Sequence, residues 1–213
     1  FFESHGLRFY STKVIHRPNL KLYKFVKNPD LKAYFLKYKP FLLFLGKFLL
    51  TYALLTFLYQ MYLNQFEKAT FEVDGFTKSV AEQTKNFLLL FNEYVKTEPH
   101  QSQSSVKLFY ENQYVARIVE GCNALSVIIL FVAFVVAFTG KLKTTFLFIM
   151  GGIVLIHVLN VARIAILAVA LYHFPEYESL LHGVIFPLFI YGVVFILWVI
   201  WVNKFSLYAK ISN

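Results

Sequence analysis

Long apolar runs broken by short polar segments dominate the chain from residue 41 onward. FLLFLGKFLLTYALLTFLYQMYL covers 41–63, and three more runs follow at about 122–139, 144–172 and 183–202. A helix rises 1.5 Å per residue, so the first run reaches about 35 Å, enough to cross a hydrocarbon core of roughly 30 Å. The third run, TTFLFIMGGIVLIHVLNVARIAILAVALY, is too long for one perpendicular crossing and too short for two. It tilts, projects from the membrane, or bends near Gly151–Gly152. In the last run Pro187 is a potential kink, and Trp198 and Trp201 suit a membrane interface.

The largest polar region is 64–119. VDGFTKSVAEQTKNFLLLFNEYV reads as an amphipathic helix with Thr77 as its cap. VKLFY and QYVARIV flank Glu111–Asn112, the pattern of a hairpin. The expected fold is an all-α polytopic membrane protein with about four transmembrane helices and a small, mixed extracytoplasmic cap. Its expected organisation is a basic cytoplasmic segment at 1–40, a single transmembrane catalytic domain at 41–203 with the cap at 64–119, and a cytoplasmic tail at 204–213.

Composition agrees with the pattern. The 213 residues are 58% hydrophobic and only 15% charged, against roughly 25% charged in a soluble domain. The net charge is +9, and its placement carries the topology. Residues 1–40 hold Arg8, Lys13, Arg17, Lys21, Lys24, Lys27, Lys32, Lys37 and Lys39 against Glu3 and Asp30. Lys141 and Lys143 follow the second run, and Lys204 and Lys210 follow the fourth. In a four-span arrangement all of these fall on the cytoplasmic side, and 64–119 and 173–182 fall outside. The lysines beside the spans suit anionic membrane lipids better than nucleic acid. No cleavable signal peptide is expected, because the first apolar run is too long and lacks a small-residue cleavage site.

The single cysteine, Cys122 in EGCNALS, opens the second run. One cysteine excludes an intrachain disulfide and a Cys-rich metal site, and it argues against a thiol oxidase, which needs a redox pair. Counting along the helices brings Cys122, Arg163 and His182 to one depth near the outer surface. Nearby cations and a helix N-terminus favour a thiolate. His182 is suited to act as base and then acid, and Arg163 to hold either an oxyanion or substrate carboxylates. Each residue also has a plainer reading. A lone Cys is more often a small packed hydrophobe, His182 a polar link residue, Arg163 a snorkelling anchor, and Asn160 glue between helices. His157 reads first as packed and hydrogen-bonded. Glu120 caps the second run, orients His182 or Arg163, or binds a cation. Arg117 pairs with Glu111 or Glu120.

At these residues the chain resembles the exosortase/archaeosortase family of membrane transpeptidases, most closely its short exosortase F branch in Bacteroidetes. KYKPFLLFLGKFLLTYALLTFLYQ, VEGCNALSVIILFVAF, HVLNVARIAIL and LLHGVIF carry the resemblance, over roughly residues 31–203. It implies Cys122, Arg163 and His182 as catalytic residues, with Glu120, Asn123 and Asn160 in support. The family more commonly has C-S-G where this chain has C-N-A, with Ser126 further on. The implied activity is that of a thiol protease and transpeptidase without metal or organic cofactor. It would sit in the bacterial inner membrane with its active site on the extracytoplasmic side. Its implied substrates are exported proteins ending in a recognition motif, a transmembrane helix and a basic tail, passed on to a cell-surface acceptor. The alternatives are a non-catalytic assembly or binding subunit for exported proteins and, more weakly, a small transporter using Asn160, Arg163 and His157.

Overall fold

The computed structural model describes residues 31–66, 71–138 and 140–206. The basic residues before Leu31, and Lys210, lie outside the described residues. The chain divides into two units, Phe1–Pro40 and Phe41–Asn213. In the first, residues 34–40 continue a helix in which Tyr34 and Tyr38 stack one turn apart, with ring centroids 6.4 Å apart.

Helix α1 spans Leu31–Leu63. No residue of its apolar part, Leu36–Leu63, is fully buried by the rest of the protein. The second unit continues with α2 (Gly75–Leu88), the strands β1 (Val95–Pro99), β2 (Ser105–Tyr110) and β3 (Gln113–Val119), and the helices α3 (Leu125–Ala137) and α4 (Leu142–His173). A last helical run, α5, extends over Pro175–Phe205. Among the described residues α1, α4 and α5 are long and apolar enough to cross a membrane, and α3 is a shorter apolar helix of 13 residues. This is a multi-pass membrane protein with a small cap between its first two apolar helices.

Asp74 starts α2: its Oδ1 accepts from the Thr77 backbone N–H at 2.9 Å. Thr77 is therefore inside the first turn, and the cap is the Asp three residues earlier. The three strands form an antiparallel sheet in the order β1-β2-β3. Tyr110 pairs with Gln113 across the expected Glu111–Asn112 turn. Both turn residues have positive φ, 52° and 59°, the backbone that a two-residue hairpin with right-handed strand twist requires. Strand β1 was not expected; VKTEP is short, ends in Pro and alternates weakly. Glu82 of α2 accepts from Lys85 and from Thr97 Oγ1 of β1. The Lys85 bond, then the Thr97 bond, holds its carboxyl below the usual range.

Two apolar cores meet on α4. Its C-terminal half supplies Ile164, Ala165 and Ala168 to the cap core, with Val80 of α2, Leu108 of β2 and Ile118 of β3. Its N-terminal half packs Ile156 against Phe131 and Val135 of α3 and Ile190, Val194 and Trp201 of α5. Helix α4 is continuous through the glycine pair: it runs for 32 residues, about 48 Å, and its C-terminal half packs in the cap core. Gly152 instead permits close packing: the fully buried Phe131 ring occupies the space a Cβ would need. Gly151 faces open space.

Gly152→Ala should therefore destabilise the protein by about 1–3 kcal/mol, the usual cost of overpacking. Gly151→Ala should be neutral or slightly stabilising, because Ala favours helix over Gly. Thermal unfolding of the two variants in detergent distinguishes these outcomes.

Candidate active site

Helix α3 begins three residues after Cys122. Glu120–Cys122 form a 3-10 turn, closed by the Asn123 N–H bonding the Glu120 carbonyl at 3.2 Å. Ala124 then takes a left-handed conformation, φ 61°, and the helix starts at Leu125. The Leu125 N–H donates to Asn123 Oδ1 at 2.9 Å, so Asn123 satisfies an otherwise open helix N–H. The thiol thus belongs to an irregular turn that joins the sheet to the helix, ahead of the first turn of α3.

Side-chain amides and hydroxyls fasten this turn to its neighbours. Buried Asn123 donates through Nδ2 to Thr77 Oγ1 of α2 and to Tyr59 OH of α1, both at 3.2 Å. Tyr59 in turn donates to Glu120 Oε1 at 3.3 Å. Asn160, fully buried on α4, donates to the Cys122 carbonyl at 2.8 Å. Arg163, one turn further along, donates through Nη1 to Asn160 Oδ1 at 3.5 Å. Asn160 therefore links the backbone of Cys122 to the guanidinium of Arg163. Arg163 Nε is buried with no hydrogen-bond partner among the described residues.

Cys122, Arg163 and His182 line one cavity of about 230 Å³. They come from three places in the chain: the turn before α3, the upper part of α4, and the start of α5. Cys122 and Arg163 are half-buried, and His182 is exposed. Val115, Ile118 and Leu167 supply apolar wall. Arg117 of β3 and Glu178 of α5 add charge. Around His182 the winding of α5 changes, with Leu181–Ile185 forming a π segment, a local widening often found at functional positions.

The other sequence candidates sort differently. Glu120 lies on the opposite side of the turn, at a separate cavity with Glu72 and Asp74, and touches Tyr59 rather than His182 or Arg163. Asn123 is a structural tie. His157 is packed as expected, with Nε2 and Gln83 Oε1 2.7 Å apart and its ring edge-on to Phe76. Arg117 donates to Gln103 instead of pairing with Glu111 or Glu120. Sequence reasoning missed Glu178, although E-S-L-L-H places it four residues before His182 in a segment that was read as a polar link. It also missed Tyr59, whose role depends on a contact 64 residues away in sequence.

The chain matches no family model, no curated protein and no solved structure.

Asn160→Leu removes the donor to the Cys122 carbonyl and the acceptor for Arg163. It should cost about 1–3 kcal/mol, since a buried carbonyl loses its partner. The loosened turn should also let a thiol reagent alkylate Cys122 faster. Unfolding temperature and alkylation rate in detergent measure the two effects.

Proposed function

We propose that this protein is a membrane-embedded cysteine transpeptidase of the exosortase type. Its Cys122 would cut C-terminal sorting signals of exported proteins and pass the new C-terminus to a cell-surface acceptor. The observation that supports this reading is the shared cavity of Cys122, Arg163 and His182. A thiol, a proton acceptor and a fixed cation are the groups that acyl transfer through a thioester requires.

His182 takes the proton of the Cys122 thiol, and the thiolate attacks the scissile carbonyl carbon. Arg163 stabilises the oxyanion of the tetrahedral intermediate. The C–N bond breaks, His182 returns the proton to the departing amine, and the substrate's N-terminal part is held on Cys122 as a thioester. An acceptor amine or hydroxyl then displaces the thiolate, and its proton passes to His182. Asn160 keeps Cys122 and Arg163 in register. Anchoring a guanidinium through a neutral amide, with no carboxylate paired to it among the described residues, leaves its charge for the oxyanion. The apolar helices beside the cavity suit a substrate that is itself tethered by a transmembrane helix. The site faces the extracytoplasmic side in this reading, because Lys141, Lys143 and Lys204 lie at the other end of the bundle.

Cys122→Ala should abolish cleavage of a co-expressed reporter carrying a motif, a helix and a basic tail, while the protein still accumulates in membranes. Arg163→Lys keeps the charge but loses the planar fork of donors, and should lower turnover on the order of a hundredfold, as for loss of an oxyanion donor. A stalled complex should have the mass of enzyme plus the reporter's N-terminal part and release it with hydroxylamine. Continued cleavage by Cys122→Ala, in membranes free of other sorting enzymes, removes the nucleophile from the scheme.

Sidedness has its own test. Cysteines placed at Ser104 and Tyr177 in the Cys122→Ala background should react with a membrane-impermeant reagent in intact spheroplasts. Labelling only after lysis inverts the orientation.

A further inference from the structure

Helix α2 buries Thr77, Val80, Ala81, Thr84 and Leu88, and the two edges beside that face differ. One edge holds Lys78, Glu82 and Lys85, the three charged residues of the helix. It meets the sheet, where Thr97 Oγ1 of β1 donates to Glu82 Oε1 at 2.8 Å. The other edge is uncharged and holds Phe76, Gln83 and Phe87, spaced as one helical stripe. Past the helix end the chain continues in a turn, with the Leu90 and Phe91 N–H groups bonded to the Phe87 and Leu88 carbonyls. Leu90 and Phe91 are each 75% exposed. Phe91 meets Phe87 edge-on, with ring centroids 5.7 Å apart.

Contacts with α4 fix the direction and the level of α2. Phe76 and Gln83 lie about 10 Å apart along α2, yet both reach His157. The Phe76 ring is edge-on to the imidazole, and Gln83 Oε1 is 2.7 Å from Nε2. Helix α2 therefore crosses α4 instead of running beside it. The cap core takes Ile164, Ala165 and Ala168 from further up α4, so the edge at His157 is the one turned toward the spans. From Lys143 to His157 the helix rises no more than about 21 Å. With Lys143 at the far polar boundary, His157 lies inside a hydrocarbon layer of roughly 30 Å, and tilt only lowers it. Val154 and Val158, on either side of His157 in sequence, are 58% and 56% exposed. The polar atoms of the Phe76–Phe87 edge are paired locally, because Gln83 Nε2 also donates to Ser79 Oγ at 3.1 Å.

We propose that this uncharged edge of α2, with the turn bearing Leu90 and Phe91, lies in the cap-side leaflet and has lipid acyl chains as its partner. The patch continues the apolar surface that α4 exposes at the level of His157, while the charges of α2 face the sheet. An amphipathic helix lying along the bilayer plane has this arrangement. It bears on the Cys122 turn, because Asn123 donates to Thr77 Oγ1 of α2 at 3.2 Å. The depth at which lipid holds α2 is thereby passed to the segment that carries the thiol. The inference does not depend on the chemistry proposed for Cys122.

The test uses the full chain in phosphatidylcholine vesicles, in the Cys122→Ala background. Single cysteines at Leu90, Phe91 and Lys78 carry a nitroxide, with Ser104 as the reference for water and Val158 as the reference for hydrocarbon. Power saturation compares collisions with oxygen, which concentrates in hydrocarbon, and with a water-soluble nickel chelate. Leu90 and Phe91 should show an oxygen-to-nickel ratio several-fold above that of Ser104 and close to that of Val158. Lys78, on the charged edge of the same helix, should resemble Ser104. Both patch positions are exposed enough to accept the label without repacking, and each reads the patch independently. Ratios at Leu90 and Phe91 equal to that of Ser104 put the patch in water and overturn the inference. A hydrocarbon-like ratio at Lys78 overturns the orientation of α2. Spin–spin broadening at Leu90 that disappears on dilution with unlabelled protein assigns the patch to a second copy of this chain, and likewise overturns the inference.

Discussion

A 32-residue apolar helix, about 48 Å long, exceeds the length an upright crossing of a hydrocarbon layer about 30 Å thick needs. Roughly the last third of α4 packs in the cap. The residues there are small or branched, Ile164, Ala165 and Ala168, and allow the sheet and α2 to pack closely on the helix. One continuous helix therefore contributes to the cap core and to the core between the apolar helices. Any polar residue on it at the boundary is held at a fixed height relative to both. Arg163 occupies that height, and Asn160 lies one turn below it.

The boundary raises a second problem. Where the chain leaves the sheet and enters α3, its backbone is irregular, and its N–H and C=O groups lack regular ladder or helix partners. Unpaired N–H and C=O groups there are costly. Two asparagines resolve this from opposite sides. Asn123 caps α3 and ties the turn to α1 and α2, and Asn160 takes up the Cys122 carbonyl from α4. An Asn side chain both donates and accepts, so Asn123 joins Leu125, Thr77 and Tyr59, and Asn160 joins the Cys122 carbonyl to Arg163. Ala124 accepts a left-handed backbone within this arrangement, a strain that the surrounding bonds hold in place. The turn bearing the thiol is thus tied to α1, α2 and α4.

Much of this was legible in the sequence, and the misses have physical causes. The apolar runs announced α1, α4 and α5 because length against bilayer thickness is a strong signal. The hairpin at Glu111–Asn112 was legible from the polar pair between two β-rich segments. That α4 is continuous through Gly151–Gly152 was left open, because two glycines in an apolar run are compatible with a break or with the close packing that Gly152 gives Phe131. The start of α3 was set too early. Hydropathy rises from Cys122 onward, but the backbone enters the helix only after a left-handed residue, which hydropathy does not register. Asn123 was the available clue, being a good capping residue just before the first apolar position. The Thr77 assignment erred in the same way, since Asp74 was an equally good cap one turn earlier. As for the candidate site, counting helix rise brought Cys122, Arg163 and His182 to one depth, and they share a cavity. Glu178 and the Tyr59–Glu120 contact depended on how α5 winds and where α1 leans, which no local pattern encodes.

The position of the cavity bears on what chemistry it can do. Deep in the bilayer a thiolate and a guanidinium would each carry a large desolvation cost. In open water their attraction would be weak and the imidazole would have little reason to stay near the thiol. At the junction of cap and spans, Cys122 and Arg163 are half-buried while His182 is exposed at the rim. Electrostatic interactions there are stronger than in solvent, and protons can still exchange with water. The same depth suits a tethered substrate, because a segment just outside its own transmembrane helix arrives at this height without leaving the membrane. Under the proposed function, a cavity between α4, α5 and the sheet would combine the dielectric that acyl transfer favours with the level at which such a segment emerges. Both follow from the extra length of α4 and from the two asparagines that hold the Cys122 turn against it.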